Sequence, residues 1–537
     1  MRFRFLLLSI ISGLLLWLAW PTSPLTPLIF VGFTPLLFVA EKVNSRWKFF
    51  GLIYLSFLIW NVGTTWWVGN TTLPASGVFA NSFNALLMSI PWLAYKNTRR
   101  KLSETAAYFS LIVYWITFEY IHQTWELSWP WLTLGHVFAM RTSWIQWYEF
   151  TGTSGGTVWV LLSNIVLYQV WKRSRIYDLP WGQILRYEAW KPAAVILLPL
   201  ILSQFIHPPA GNPSRKTEVV VVQPNIDPYD EKFNSSTVTA QMEKFLRLTR
   251  QKADSHTRYI IWPETALFPR GAWEHELNYQ QEIIAIRDML RKYPNARVIS
   301  GAVTEKLYRQ TDEVPSIARQ MNDGSRWDAY NSALQIDTSQ SIQIYHKYEL
   351  VPGVELIPYV RYLGFLNGLA MDFGGISGSY GREPASTVFT NPHDSMEVVP
   401  MICYESVFSN YVAAGVKRGG NLLVIMTNDG WWGNTEGHRQ HLQYARIRAI
   451  ETRRWVARSA NTGISAVIDP AGNVYQPQPY WQEGVIKADV IPEYDKTFYV
   501  RNGDLISKGA VIFCILLIVH AFISRFIPGL KHAENYQ

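Results

Sequence analysis

The feature that most constrains this chain is a succession of apolar runs in its first two hundred residues, several reaching the roughly 20 residues a helix needs to cross a bilayer, the shorter ones with their flanks. They fall at 5–20, 25–40, 49–68, 78–95, 106–122, 157–171 and 193–206, and one more follows at 510–523. Hydrocarbon offers no partner to backbone amides and carbonyls, so such runs must be helical. The sequence thus predicts an α-helical transmembrane bundle of eight spans, seven before a stretch of mixed composition and one after it. The predicted domains are a bundle at 1–210, a mixed domain at 217–495, a terminal helix at 507–527 and a tail at 528–537. A cleaved signal peptide at the first run fits poorly, because Trp17, Trp20 and Pro21–Pro24 replace the small residues of a cleavage site.

Charge placement sets the orientation. Only 17% of residues are charged, against about a quarter in soluble proteins. Arg2 and Arg4 precede the first run; Lys42, Arg46 and Lys48 follow the second; Lys96, Arg99, Arg100 and Lys101 follow the fourth; Lys172, Arg173, Arg175, Arg186 and Lys191 follow the sixth. The alternate loops carry almost none, with Arg141 alone in the long loop at 123–156. By the positive-inside rule both termini are expected in the cytoplasm and the mixed domain outside it. The net charge of +8 is then explained by cytoplasmic loops, and nucleic-acid binding is not implied. Trp125, Trp129, Trp131, Trp144 and Trp147 suit the 123–156 loop to the membrane surface, with a packed cap nearly as good a reading.

The mixed domain alternates β-rich runs (219–223, 259–262, 297–303, 333–336, 398–402, 422–427 and 464–468) with helical patterns at 238–253, 280–292 and 437–456. An α/β layered domain with catalytic groups at strand ends follows. Cys403 ends one such strand, and a helix is expected to start within 405–414, whose first amides would lower the thiol pKa from about 8.5. Glu264 ends another strand after Trp262-Pro263, and Lys347 follows the strand at 342–345. A thiol nucleophile needs a base to take its proton and a cation or amides at the developing oxyanion, and a Glu and a Lys meet those needs. Cys514 lies in an apolar run, and two cysteines so placed imply no disulfide framework.

Trp262-Pro263-Glu264, Lys347 with Leu350-Val351-Pro352 and Glu355, and Ile402-Cys403-Tyr404-Glu405 resemble the nitrilase, or carbon–nitrogen hydrolase, superfamily. Together with the spans they resemble its membrane-bound branch, the apolipoprotein N-acyltransferases, as do Thr427-Asn428-Asp429, Trp431-Trp432-Gly433, the His441 to Arg446 helix and Asn461-Thr462-Gly463. The resemblance implies a nitrilase-like αββα sandwich on the bundle, in a bacterial inner membrane. It makes Glu264 the base, Lys347 the oxyanion cation, Cys403 the nucleophile, and Glu355, Tyr404 and Glu405 supporting or oxyanion residues. It implies a phospholipid acyl donor, a diacylglyceryl-modified apolipoprotein acceptor and no cofactor. Gly353-Val354 stand where the family has Phe-Gly, and Lys232-Phe233 where it has Lys-Trp.

Other readings are weaker. His438 and His441 could share zinc, but no third ligand stands at recognisable spacing, so no metal is expected. The Gly374–Gly381 cluster lacks a P-loop lysine and is expected to supply hinges. A membrane-tethered amidase would use the same three residues with water as acceptor, and a non-catalytic receptor or transporter would use the bundle alone. Finally, Tyr362, Phe365, Leu366, Leu369 and Met371 are expected to form an apolar arm through which substrate reaches the site from the lipid.

Overall fold

The computed structural model describes residues 2–70, 75–309, 311–312, 314–315, 318–359, 379–382, 384–391 and 394–523. The first part is helical: α1 (Arg2–Ala19), α2 (Thr34–Lys42), α3 (Arg46–Thr65), α4 (Ala75–Thr98), α5 (Glu104–Ile121), α6 (Tyr148–Ile176) and α7 (Trp190–Phe205). Ser45 and Ser103 cap α3 and α5 by accepting from the amides three residues on. The expected span at 25–40 is broken: a 3-10 turn at Thr26–Phe30 precedes α2, whose nine residues rise only about 13 Å.

The mixed domain holds two sheets. Its strands are β1 (Thr217–Gln223), β2 (Thr257–Ile261), β3 (Leu267–Trp273), β4 (Arg297–Leu307), β5 (Arg319–Gln320), β6 (Arg326–Ile336), β7 (Ile342–His346), β8 (Val398–Ile402), β9 (Leu422–Thr427), β10 (Trp455–Ala460), β11 (Ala466–Ile468), β12 (Val474–Tyr475) and β13 (Gly484–Val490). One sheet runs β13-β1-β2-β4-β6-β5, with β3 beside β4 and β7 beside β6; the other runs β12-β11-β10-β9-β8. Val219, Val221, Ile261 and Tyr345 of the first sheet meet Val399, Met401, Leu423 and Ile425 of the second in one core. Outside the first sheet pack α8 (Val238–Lys252) and α9 (Gln281–Leu290), burying Phe245, Leu248, Ile283 and Ile286 against Val220, Ile260 and Val298. Outside the second lie α10 (Ser409–Lys417) and α11 (Glu436–Thr452). The expected αββα order results, with the last helix, α12 (Leu505–Ile523), returning beside α5.

Three helical segments among the described residues are long and apolar enough to cross a membrane: Arg46–Gly69, Tyr148–Ile176 and Leu505–Ile523. Phe3–Ala19 and Trp190–Phe205 are apolar but shorter. The tryptophan-rich loop does not lie flat on a surface. It folds into 3-10 turns wedged under the αββα domain, with Trp131 buried and its indole nitrogen donating to Gln440 on α11 at 2.7 Å. The loop is tied to the bundle through Glu119, which accepts from the Leu134 amide, Thr157 and Trp115 at 2.7–2.9 Å.

Candidate active site

Cys403, Glu264 and Lys347 meet where the ends of β8, β2 and β7 converge between the sheets. Cys403 leaves β8 with φ of 51°, a left-handed conformation uncommon for a side-chain-bearing residue and typical of strained functional turns. A short 3-10 turn, Cys403–Val407, follows, and α10 begins only at Ser409. The expected helix start beside the thiol is therefore absent. Burial pushes the thiol pKa up, Glu264 adds to the rise, and Lys347 opposes it. The sequence expectation of a resting thiolate is thereby corrected: the sulfur rests protonated and needs a base.

Glu264 is held from both sides. Its Oε1 accepts from the Asn331 carboxamide at 2.8 Å and its Oε2 from the Asn428 amide at 3.1 Å. Gly301 makes room for this corner, since a Cβ there would stand 2.6 Å from the Glu264 Cα. Lys347 is buried, 2.9 Å from Glu355 Oε1 and 3.6 Å from Glu264 Oε1. Burial pulls its pKa down, but the carboxylates of Glu355 and Glu264 push it further up, so the ammonium keeps its proton. Glu355 reaches it across a compact turn: Gly353, at φ of 79°, donates to Leu356 O, and Glu355 Oε2 accepts from the Val351 amide at 2.9 Å. Gly353-Val354 thus close the loop that Phe-Gly closes in the family resemblance.

Glu405 and Tyr404 face elsewhere. Glu405 accepts from the amides of Ile402 and Tyr348 at 2.7 Å, of Glu349 at 3.2 Å and from the Tyr345 hydroxyl, which ties the Lys347 loop to the Cys403 turn. Its carboxylate is used up in that tie and leaves no donor for an oxyanion. The Tyr404 hydroxyl donates to Ser128 O at 2.9 Å and its ring stacks on Trp129, while its amide lies in the turn that begins at Cys403.

Two residues escaped sequence reasoning. Asn331, inside β6, donates to both Glu264 and Glu355, at 2.8 and 2.9 Å, and spaces the two carboxylates. Lys232 is buried and donates to the Glu264 carbonyl oxygen at 2.9 Å, its pKa lowered by burial to about 8. Its place in the Lys-Phe pair was the only signal. His438 and His441 do not converge: His438 stacks on Tyr480, whereas His441 lies between Asp429 at 2.9 Å and the Cys403 carbonyl at 3.1 Å. Donor atoms of Cys403, Asp429 and His441 fall within 4.8 Å of one another, but Arg458 already pairs with Asp429 and supplies the positive charge there. Tyr362, Phe365, Leu366, Leu369, Met371 and glycines 374–378 lie outside the described residues.

An αββα sandwich with a Glu, a Lys and a Cys at one strand-end site defines a carbon–nitrogen hydrolase, and that family's profile matches residues 218–495. The profile of the apolipoprotein N-acyltransferase N-terminal domain matches residues 12–166. Similar curated proteins include the apolipoprotein N-acyltransferases of Chlorobaculum tepidum, 30% identical over 93% of both chains, and of Geobacter metallireducens, 27% identical over 96% of this chain and 95% of that one. The chain belongs to the apolipoprotein N-acyltransferase family, a bacterial membrane-protein family. Among solved structures, a CN-hydrolase superfamily protein from Xanthomonas campestris aligns with 51% of this chain and 90% of its own at 16% identity and a TM-score of 0.34.

Proposed function

We propose that this enzyme moves an acyl chain from a membrane phospholipid to the N-terminal amine of a diacylglyceryl-cysteine apolipoprotein, through a thioester on Cys403. Membership of the family, with Glu264, Lys347 and Cys403 gathered at one buried site, carries the reading. Glu264 takes the thiol proton as Sγ attacks the ester carbonyl, and the oxyanion is met by the Lys347 ammonium and the Tyr404 amide. The ester C–O bond breaks and Glu264 returns the proton to the departing lysophospholipid. The acceptor amine then attacks the thioester, the C–S bond breaks, and the amine's proton passes through Glu264 back to sulfur. Glu355 and Asn331 hold Lys347 and Glu264 apart from full contact, and Lys232 fixes the Glu264 backbone.

The same reading divides the chain into a bundle at 1–210, an extracytoplasmic catalytic domain at 217–495, a span within 507–527 and a cytoplasmic tail, with eight spans in all. Labelling of Asp288→Cys from outside the cytoplasm and of Lys48→Cys from inside is expected; the reverse pattern defeats the topology. Incubation with labelled phospholipid and a diacylglyceryl-cysteine peptide should give a gel-stable thioester on Cys403 that the peptide discharges with a 1:1 yield of acylated amine. Discharge by water at the same rate without peptide would make the protein an amidase-like hydrolase instead.

A further inference from the structure

A groove of about 750 Å³ runs between α4, α5 and α12, from His122 and Trp125 at one end to Arg46, Arg100 and Lys101 at the other. Its walls are apolar along Leu87, Ile90, Pro91, Phe118 and Ile518, and its end is cationic, with Arg46, Arg100 and Lys101 and no carboxylate in the lining. Neighbouring cations differ: Arg99 and Lys172 both pair with Glu41 at 3.0 Å. Among the described residues Arg46, Arg100 and Lys101 have no carboxylate partner, Arg100 donating instead to the Asn44 carbonyl oxygen, so three positive charges line the groove mouth without a counter-charge.

The direction of the groove follows from the contacts of its helices. Beside the start of α4, Asn70 donates to Trp432 O in the αββα domain, so the other end of α4, with Arg100 and Lys101, points away from that domain. From Leu87 to Thr98, where α4 ends just before Arg100 and Lys101, the helix rises about 16 Å, comparable to the roughly 15 Å half-thickness of the hydrocarbon core. The third wall, α12, is largely uncovered: Ile512, Ile515, Leu516 and Ile518 are 55–60% exposed, and it holds to α5 by contacts such as Phe513 on Phe109.

We propose that this groove holds one anionic phospholipid of the leaflet remote from the catalytic domain, its phosphate at Arg46, Arg100 and Lys101 and one tail along Pro91 and Phe118. It is a bound component rather than a substrate, because its phosphate sits past the end of α4 opposite the one beside the αββα domain. Charge complementarity names the headgroup and apolar length names the tail. The lipid completes the packing of α12 against α4, a contact that protein atoms leave unfilled. The proposal rests on the membrane placement of the helices and stands independently of the acyl-transfer chemistry.

Cys514 lines the groove and is the only other cysteine of the chain, so it can carry a probe. In Cys403→Ala protein labelled with bimane at Cys514, dibrominated phosphatidylglycerol in nanodiscs should quench at roughly a tenth of the mole fraction that dibrominated phosphatidylcholine needs. The combined Arg46→Gln, Arg100→Gln and Lys101→Gln changes should erase that preference. Equal quenching by the two lipids, or a preference that survives the triple change, overturns the proposal. Reversal of quenching by excess glycerol phosphate would make it a soluble-phosphate site and overturn it too. Unlabelled wild-type protein should retain one phosphatidylglycerol through native mass spectrometry, and the triple variant none; equal retention again decides against it.

Discussion

Two groups of buried carboxylates flank Cys403, and they are built on opposite principles. On one side Glu264 and Glu355 share a buried ammonium, Lys347, and a single carboxamide, Asn331. On the other, Glu405 is surrounded by main-chain amides and the Tyr345 hydroxyl, with no cation in hydrogen-bond reach among its bonded partners. Fixed amides hold a carboxylate in place but respond little when its charge changes, whereas a neighbouring ammonium and its second carboxylate can absorb such a change. The first group is suited to moving protons, the second to holding two loops together.

Substitution on each side tests that contrast. Glu264→Gln should keep the fold and lower acyl-enzyme formation by about 10³-fold, read as the rate of thioester appearance after mixing with labelled phospholipid. Lys347→Met should lower both formation and discharge of the thioester by roughly 10²- to 10³-fold, because each passes an oxyanion. Normal formation in that variant would take Lys347 out of the role assigned to it. Glu405→Gln belongs to the other group: unfolding stability should fall by about 1–3 kcal/mol, with a smaller loss of rate than Glu264→Gln. A larger rate loss at unchanged stability would erase the distinction between the groups.

Two finer measurements concern protons. Lys232→Arg keeps a cation where the lysine loses its own as pH rises through about 8. Single-turnover discharge by a peptide amine should therefore extend to higher pH in the Arg variant, and Lys232→Met should resemble the wild type's alkaline limb at all pH values. The smallest effect is on the resting thiol. Its pKa is raised, so alkylation of Cys403 by iodoacetamide should be slow at pH 7 and keep rising beyond pH 8.5, the reverse of a preformed thiolate. Removing Lys347 should push the curve still higher, since that ammonium opposes the rise.

How much of this was legible depended on whether a residue's role is local. Strand-end Glu264, Lys347 and Cys403 stand out because an apolar run stops at a chemical group, and β2, β7 and β8 end where that pattern predicts. Alternating periodicities implied an α/β layered domain, and the resemblance to the nitrilase superfamily implied its two-sheet αββα order. Asn331 was invisible because it lies in the middle of β6, where a polar residue reads as the outward half of an alternation, and only the register of β6 against β4 and β7 aims it at two carboxylates. The thiol's pKa was misjudged for a related reason: composition shows neither the burial that raises it nor that Cys403–Val407 is a 3-10 turn rather than the first turn of an α-helix. The tryptophan loop misled as well, since amphipathic rings suit a lipid surface and a domain interface equally, and Gln440 settles Trp131 for the latter.

That interface is fastened by charge as well as by rings. Arg453 pairs with Glu149, Glu451 accepts from the Thr153 amide at 3.0 Å, and Tyr404, next to Cys403, donates to Ser128. The αββα domain is thus bolted to the helices at the end of α11 and, through Tyr404, at the turn that carries Cys403, and it cannot tilt without disturbing that turn. On the proposed acyl-transfer reading, a sulfur atom so mounted would work like a blade set at one height, meeting only the ester carbonyls at its own depth whatever the headgroup or chain length. Selectivity would then begin with vertical position, before any pocket has recognised a shape.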